Sequence, residues 1–162
     1  MRPADIINPL QDTLRDYTQG WGTVSVAGDP FNVFEQLTTG PHGLLIVLHW
    51  DGDQPAGSTR QSPFVKNSLE VYVGRNLGLS LDPGEVLYRP DLVDGEKPLS
   101  EQVAEIREHI RAFDFETIAN LPKTLTERRL SYGGCGPVIL PGGMPMHAYR
   151  LTFNLNTSLP TI

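Results

Sequence analysis

The sequence predicts an α+β fold: a mixed, mostly antiparallel sheet of about four to five strands, with helices packed on one face and long loops between elements. Three observations predict it. The stretch "HAYRLTFNLNTSL" alternates strictly, with Tyr149, Leu151, Phe153 and Leu155 on one side and Arg150, Thr152, Asn154 and Asn156 on the other. That is the pattern of a strand with one buried and one wet face. "PLSEQVAEIREHIRAF" instead places Leu99, Val103, Ile106, Ile110 and Phe113 on one helical stripe. Finally, 16 glycines and 14 prolines in 162 residues leave room for long connections.

The elements follow in order. Ile6, Ile7, Leu10, Leu14 and Tyr17 recur at helical spacing, which predicts a helix ending near Thr18. Its start is open: Asn8-Pro9 fits a cap with proline at the first helical position, and Pro9 equally fits a kink in a helix begun near Pro3. "TVSVAG" reads as a short strand. "DPFNVFEQL" reads as a short helix capped by Asp29, with Phe31, Phe34 and Leu37 on one face. "GLLIVLHW" is apolar at both parities and predicts a strand covered on both sides, ended by the turn residues "DGD".

In "SLEVYVGRNLGL", Leu69, Val71 and Val73 face inward and Glu70, Tyr72 and Gly74 outward. Residues 80–98 hold three prolines, two glycines and five acids (Asp82, Glu85, Asp91, Asp94 and Glu96). They read as a long loop with at most an extended piece at Val86–Tyr88. The helix over 99–113 follows, its acids in the first half and arginines in the second, as the helix dipole favours. "ERRLSYGG" and the final strand close the chain across a Gly/Pro-rich connection. No repeat or composition break divides residues 1–162, which read as a single domain.

Composition narrows the function. A net charge of −6 argues against a free-standing nucleic-acid binder, which needs a basic face. The longest apolar run, "GLLIVL", is too short to span a bilayer, and "MRPADIINPL" has no apolar run of signal-peptide length. With Cys135 the sole cysteine, an internal disulfide is impossible. These features lead us to expect a soluble intracellular protein.

Candidates for chemistry are few. His49 and Asp51 form an H-x-D pair, and with a distant His147 they would make the triad of a mononuclear iron site. On a regular strand His49, Asp51 and Asp53 would share a face. Iron oxygenases of this type resemble an eight-stranded jelly roll, which this chain is too short of strands to build, and "DGD" has a simpler explanation as turn chemistry. His109, flanked by arginines, reads as part of a solvated helix face. Cys135, in "GGCGP", lacks a following helix to activate it and reads as a small residue in a tight turn. The glycines of "YGGCGPVILPGG" are followed by no Gly-Lys-Ser/Thr, so a phosphate cradle is not indicated. Glu101, Glu105 and Glu108 read as solvated helix charge. No catalytic residue, cofactor or metal is expected.

The order of elements does match a known pattern. An N-terminal helix leads to "GLLIVLHWDGD", a polar loop, "FVKNSLEVYVGRN", the helix "LSEQVAEIREHIRAF", and a closing hairpin "RRLSYGGCGPVIL…HAYRLTFNL" with a Tyr-Gly-Gly opening and an aromatic-x-aliphatic-x-Phe ending. In this the chain resembles the tail-terminator (tail-completion or minor tail) proteins of long-tailed bacteriophages and prophages. Its acidic loop is longer than that resemblance leads one to expect.

The resemblance implies a structural protein of the virion tail, assembled in the bacterial host cytoplasm. It implies a homo-oligomeric ring, commonly a hexamer, that caps the tail tube protein and joins it to a head-connector (neck) protein. It implies no membrane partner, and DNA only as a strand passing through the ring. Such a ring needs arms that reach a neighbour. The arms expected here are the loops 51–63, with Asp51 and Asp53, and 80–98, with Glu85, together with the hairpin around Pro141–Pro145, with Met144. Arg128 and Arg129, adjacent on a strand, would point to opposite faces and are further interface candidates. The alternatives are a small metal-dependent enzyme using His49, Asp51 and His147, and a host adaptor domain of the same layout.

Overall fold

A computed structural model of the chain describes residues 2–19, 22–39, 43–56, 64–76, 83–89, 97–115, 128–139 and 146–158. Its frame is a five-stranded sheet of β1 (Gly22–Ala27), β2 (Leu44–Pro55), β3 (Phe64–Asn76), β4 (Ser131–Pro137) and β5 (Met146–Ser158), in the order β1-β2-β3-β5-β4. β1 runs parallel to β2, and every other pairing is antiparallel. The helices are α1 (Pro3–Tyr17), α2 (Pro30–Thr39), α3 (Pro83–Tyr88) and α4 (Leu99–Ala112). The predicted α+β class and mixed sheet are what the chain forms.

α1 begins at Pro3 and carries Pro9 within it. The start is fixed by Asp5, whose carboxylate accepts the Arg2 backbone N–H at 2.9 Å, a reciprocal first-turn contact that orders the orphan donors. Ile6, Ile7, Leu10 and Leu14 are buried. They meet Leu99, Val103, Ile106 and Ile110 of α4 and the inward residues of β2, β3 and β5 in the principal core. Leu44 to Leu48 are buried at both parities, as the continuous apolar run predicts.

That both-sided burial has a consequence for the helices. α1 and α4 cover one face together with α3, but α2, expected on that same face, covers the other: Val33 and Leu37 pack there with Ala27, Leu45, Val47, Tyr72 and Ala148. Helices therefore lie on both faces, because the odd residues of β2 are as apolar as the even ones. Asp29 does cap α2, its Oδ1 accepting the Asn32 N–H at 2.7 Å. The predicted face of α2 is corrected, since Leu37 is buried with Val33 while Phe31 is 77% and Phe34 38% exposed.

Three further expectations change. Residues 83–88 form α3 rather than an extended piece. Pro83 supplies a preset helical φ at the first position, and Leu87 anchors the turn in the principal core. "DGD" does not end β2, which continues to Pro55 paired with Val65. "GGCGP" is not a turn but the body of edge strand β4, with a register shift between Tyr132 and Gly134.

Candidate functional site

The sequence placed its sharpest question at His49 and Asp51, and here the structure brings chemistry together. β2 pairs regularly with β3 up to Trp50↔Leu69, then resumes at Gly52↔Ser68, so Asp51 is one extra residue in the strand. Gly52 has φ +104°, the positive region that a bulge of this kind requires and that glycine alone adopts cheaply. The insertion has two effects. Asp51 swings beside His49, and Asp53 is carried to the opposite face, paired with buried Asn67. The expectation that His49, Asp51 and Asp53 share a face fails because a bulge resets the two-residue period.

His49 lies directly across from Glu70 on β3. Its Nδ1 stands 3.6 Å from Glu70 Oε2, too long for a hydrogen bond, and has no hydrogen-bond partner although it is buried. Two residues along β3, the Tyr72 hydroxyl donates to the same Glu70 oxygen. Burial first, and then this bond to a carboxylate, push the Tyr72 phenol well above its ordinary range. Tyr72 is paired in turn with Arg150 of β5. His49, Asp51 and Glu70 each offer a ligand atom, and the three atoms lie within 4.8 Å of one another.

His147 is not part of this cluster. Glu70 pairs with Thr152, and His147 pairs with Arg75, five residues further along β5, or about 17 Å at strand spacing. It shares the parity of Tyr149 and Leu151, whose side chains enter the principal core, so it also lies on the opposite face from His49. The H-x-D…H triad is therefore not assembled. Cys135 pairs with Leu151, four residues from His147 and about 13 Å away, beyond the reach of a nucleophile and its base.

The remaining candidates scatter. Arg128 and Arg129 are not on a strand but in a bend before β4. Arg128 donates to Asp114 Oδ2 at 2.8 Å, and its carbonyl accepts the Phe115 N–H at 2.9 Å, a clasp between the end of α4 and β4. Arg129 is exposed beside it. Glu85 belongs to α3, and Met144 lies outside the described residues. His109 is not simply solvated: its ring stacks on Tyr17 at 4.3 Å, and burial lowers its pKa. The two rings border a shallow groove with Glu101, Glu105 and Glu108.

Sequence reasoning missed Glu70 and Tyr72 as companions of His49. The available signal was their place on the outward face of "LEVYVG", which becomes useful only once the β2–β3 register is known. No helix among the described residues is long and apolar enough to cross a membrane. No protein-family model matches the chain, and no curated protein is significantly similar to it.

Proposed function

We propose that the protein is a structural component of a bacteriophage or prophage tail, a terminator that closes into a homo-oligomeric ring on the tail tube and meets the head connector. The observation that carries this reading is the placement of exposed apolar side chains at the two opposite edges of one sheet. Towards one edge, β1 presents Val26, and α2, packed over β1 and β2, presents Phe31 and Phe34. At the β4 edge stand Tyr132 and Ile139, the latter 90% exposed.

A ring is built from two different patches that meet head to tail and repeat until the rotation closes. Patches at opposite edges of one sheet suit that geometry, whereas a single patch would suit a two-fold dimer. As an edge strand, β4 can pair with a neighbour, whereas at the β1 edge the Val24 and Val26 carbonyls already accept hydrogen bonds from Gln11, Arg15 and Gln36. A net charge of −6 suits a ring through which DNA passes without being held. On this reading the protein works in the virion tail, put together in the host cytoplasm, with itself, the tube protein and a neck protein as partners. A small metal-dependent enzyme built on His49, Asp51 and His147 is not favoured by any observation, because those three residues do not meet.

The test is the mass of the purified chain by light scattering, alone and with tail tubes, together with images in negative stain. Rings or tube-capping particles with a mass several times the 17.9 kDa chain are expected, and Ile139→Asp should abolish them while leaving the circular dichroism unchanged. A particle that stays at 17.9 kDa at high concentration and ignores tail tubes would overturn the reading.

A further inference from the structure

We propose that His49, Asp51 and Glu70 form a binding site for one divalent transition-metal ion on the same sheet face that α2 packs against. The site is independent of the ring reading and involves none of the apolar residues on which that reading rests.

The geometry comes first. Ligand atoms about 2.1 Å from a common ion at the tetrahedral angle are about 3.4 Å apart. His49 Nδ1 and Glu70 Oε2 already stand 3.6 Å apart, and all three ligand atoms lie within 4.8 Å. Asp51, on the exposed side, has only a short distance to close by rotation of its side chain.

A second observation points to a ligand independently. The His49 side chain is 5% exposed, and its Nδ1 has no hydrogen-bond partner. A buried polar atom normally has one. An imidazolium paired with Glu70 would be the competing arrangement, but 3.6 Å is outside hydrogen-bond range. An ion placed between the nitrogen and the carboxylates satisfies the imidazole and offsets the repulsion between Asp51 and Glu70 in the same step.

The surroundings fit a metal centre. Tyr72 donates to Glu70, the kind of outer contact that fixes a ligating carboxylate. The bulge at Asp51 and the positive φ of Gly52 are what deliver the third ligand. One imidazole and two carboxylates suit Zn²⁺, Mn²⁺ or Fe²⁺. A thiolate-preferring ion would find no sulfur ligand in the set, and a hard Ca²⁺ or Mg²⁺ would reject the imidazole. Three protein ligands leave the remaining positions to water. Bound there, the ion ties the bulge of β2 to β3.

The test is titration of the full chain with Zn²⁺ by calorimetry, and with Co²⁺ by visible absorption, which reports ligand number and type. Saturation at one ion per chain is expected, with the His49 ring resonances shifting in step. Asp51→Asn, an exposed change that leaves the core untouched, should weaken binding by about tenfold or more, as should Glu70→Gln. His147→Gln, on the other face, should leave it unchanged. If His49→Gln fails to fold, Asp51→Asn still decides. Absence of saturable binding would overturn the proposal. So would unchanged affinity in both carboxylate variants, or loss of binding in a folded His147→Gln chain.

Discussion

Arg75 of β3 donates through its guanidinium to the backbone carbonyl of Lys97 at 2.8 Å, and also to Gln102 Oε1 one turn into α4. Both Arg75 and Gln102 are buried, so a charged group of the sheet holds the entry and first turn of α4, through Lys97, 22 residues further along the chain, and Gln102. A buried hydrogen bond to a charged group contributes about 1.5–3 kcal/mol, and removing one partner leaves the other unsatisfied. Arg75→Met should therefore destabilise the chain by about 2–4 kcal/mol. Urea unfolding with an unchanged slope would measure this, and a loss below about 0.5 kcal/mol would show that the pair is replaced by water.

The same helix carries an acid-sensitive cluster. Tyr17 donates to Glu105 at 3.0 Å, Lys97 lies 2.6 Å from the same carboxylate, and His109 stacks on Tyr17. Burial lowers the His109 pKa from its ordinary 6.5. The hydrogen bond from Lys97, with that from Tyr17, lowers Glu105 from 4.5. In both cases the unfolded chain takes up a proton before the folded one does. The associated stability is then complete above the ordinary value and is lost as the pH falls through the depressed one. Unfolding midpoints should thus fall in two stages on acidification, the first beginning below about pH 6.5 and the second below about pH 4.5. His109→Gln should remove the first stage alone, and Lys97→Ala should diminish the second.

Gly52 offers a purely conformational prediction. Its φ is +104°, and a Cβ built there meets nothing within 4 Å. Gly52→Ala therefore costs backbone strain without a clash, about 1–2 kcal/mol, and shifts Asp51 away from His49. Thermal unfolding of the metal-free protein would register the strain. An unchanged midpoint would mean that the bulge is absent in solution.

The sheet and its two long helices could be read in advance because their signals are local. The alternation of residues 147–155 and the stripe from Leu99 to Ile110 are statements about one element and the water on one side of it. What could not be read depends on a second element. Whether Phe31 or Val33 faces inward is decided by which face of β2 the helix reaches, and β2 is apolar on both. The bulge at Asp51 was disguised as a turn, since Asp and Gly serve both. His49 stands out in the sequence as half of an H-x-D pair, but the residue across from it is Glu70, found only through the cross-strand register, and not His147, whose distance and face follow from the same register. α3 was missed because a six-residue helix holding one buried leucine has no period to display.

α2 gives the sharpest contrast between packing and association. Leu37 is fully buried among Val33, Leu45 and Val47, whereas Phe31 on the same helix is 77% exposed. Leu37→Ala should cost about 2–5 kcal/mol from lost contacts and the cavity left behind, whatever the oligomeric state. Phe31→Asp touches no core and should leave single-chain stability within about 0.5 kcal/mol. If α2 is one half of a head-to-tail interface, that same Phe31→Asp chain should no longer form large particles, and mixing it with the Ile139→Asp chain should restore only pairs, since each then contributes the one intact patch the other lacks. Light scattering on the mixture reads this directly. Rings that persist with both patches charged would place the interface elsewhere on the chain.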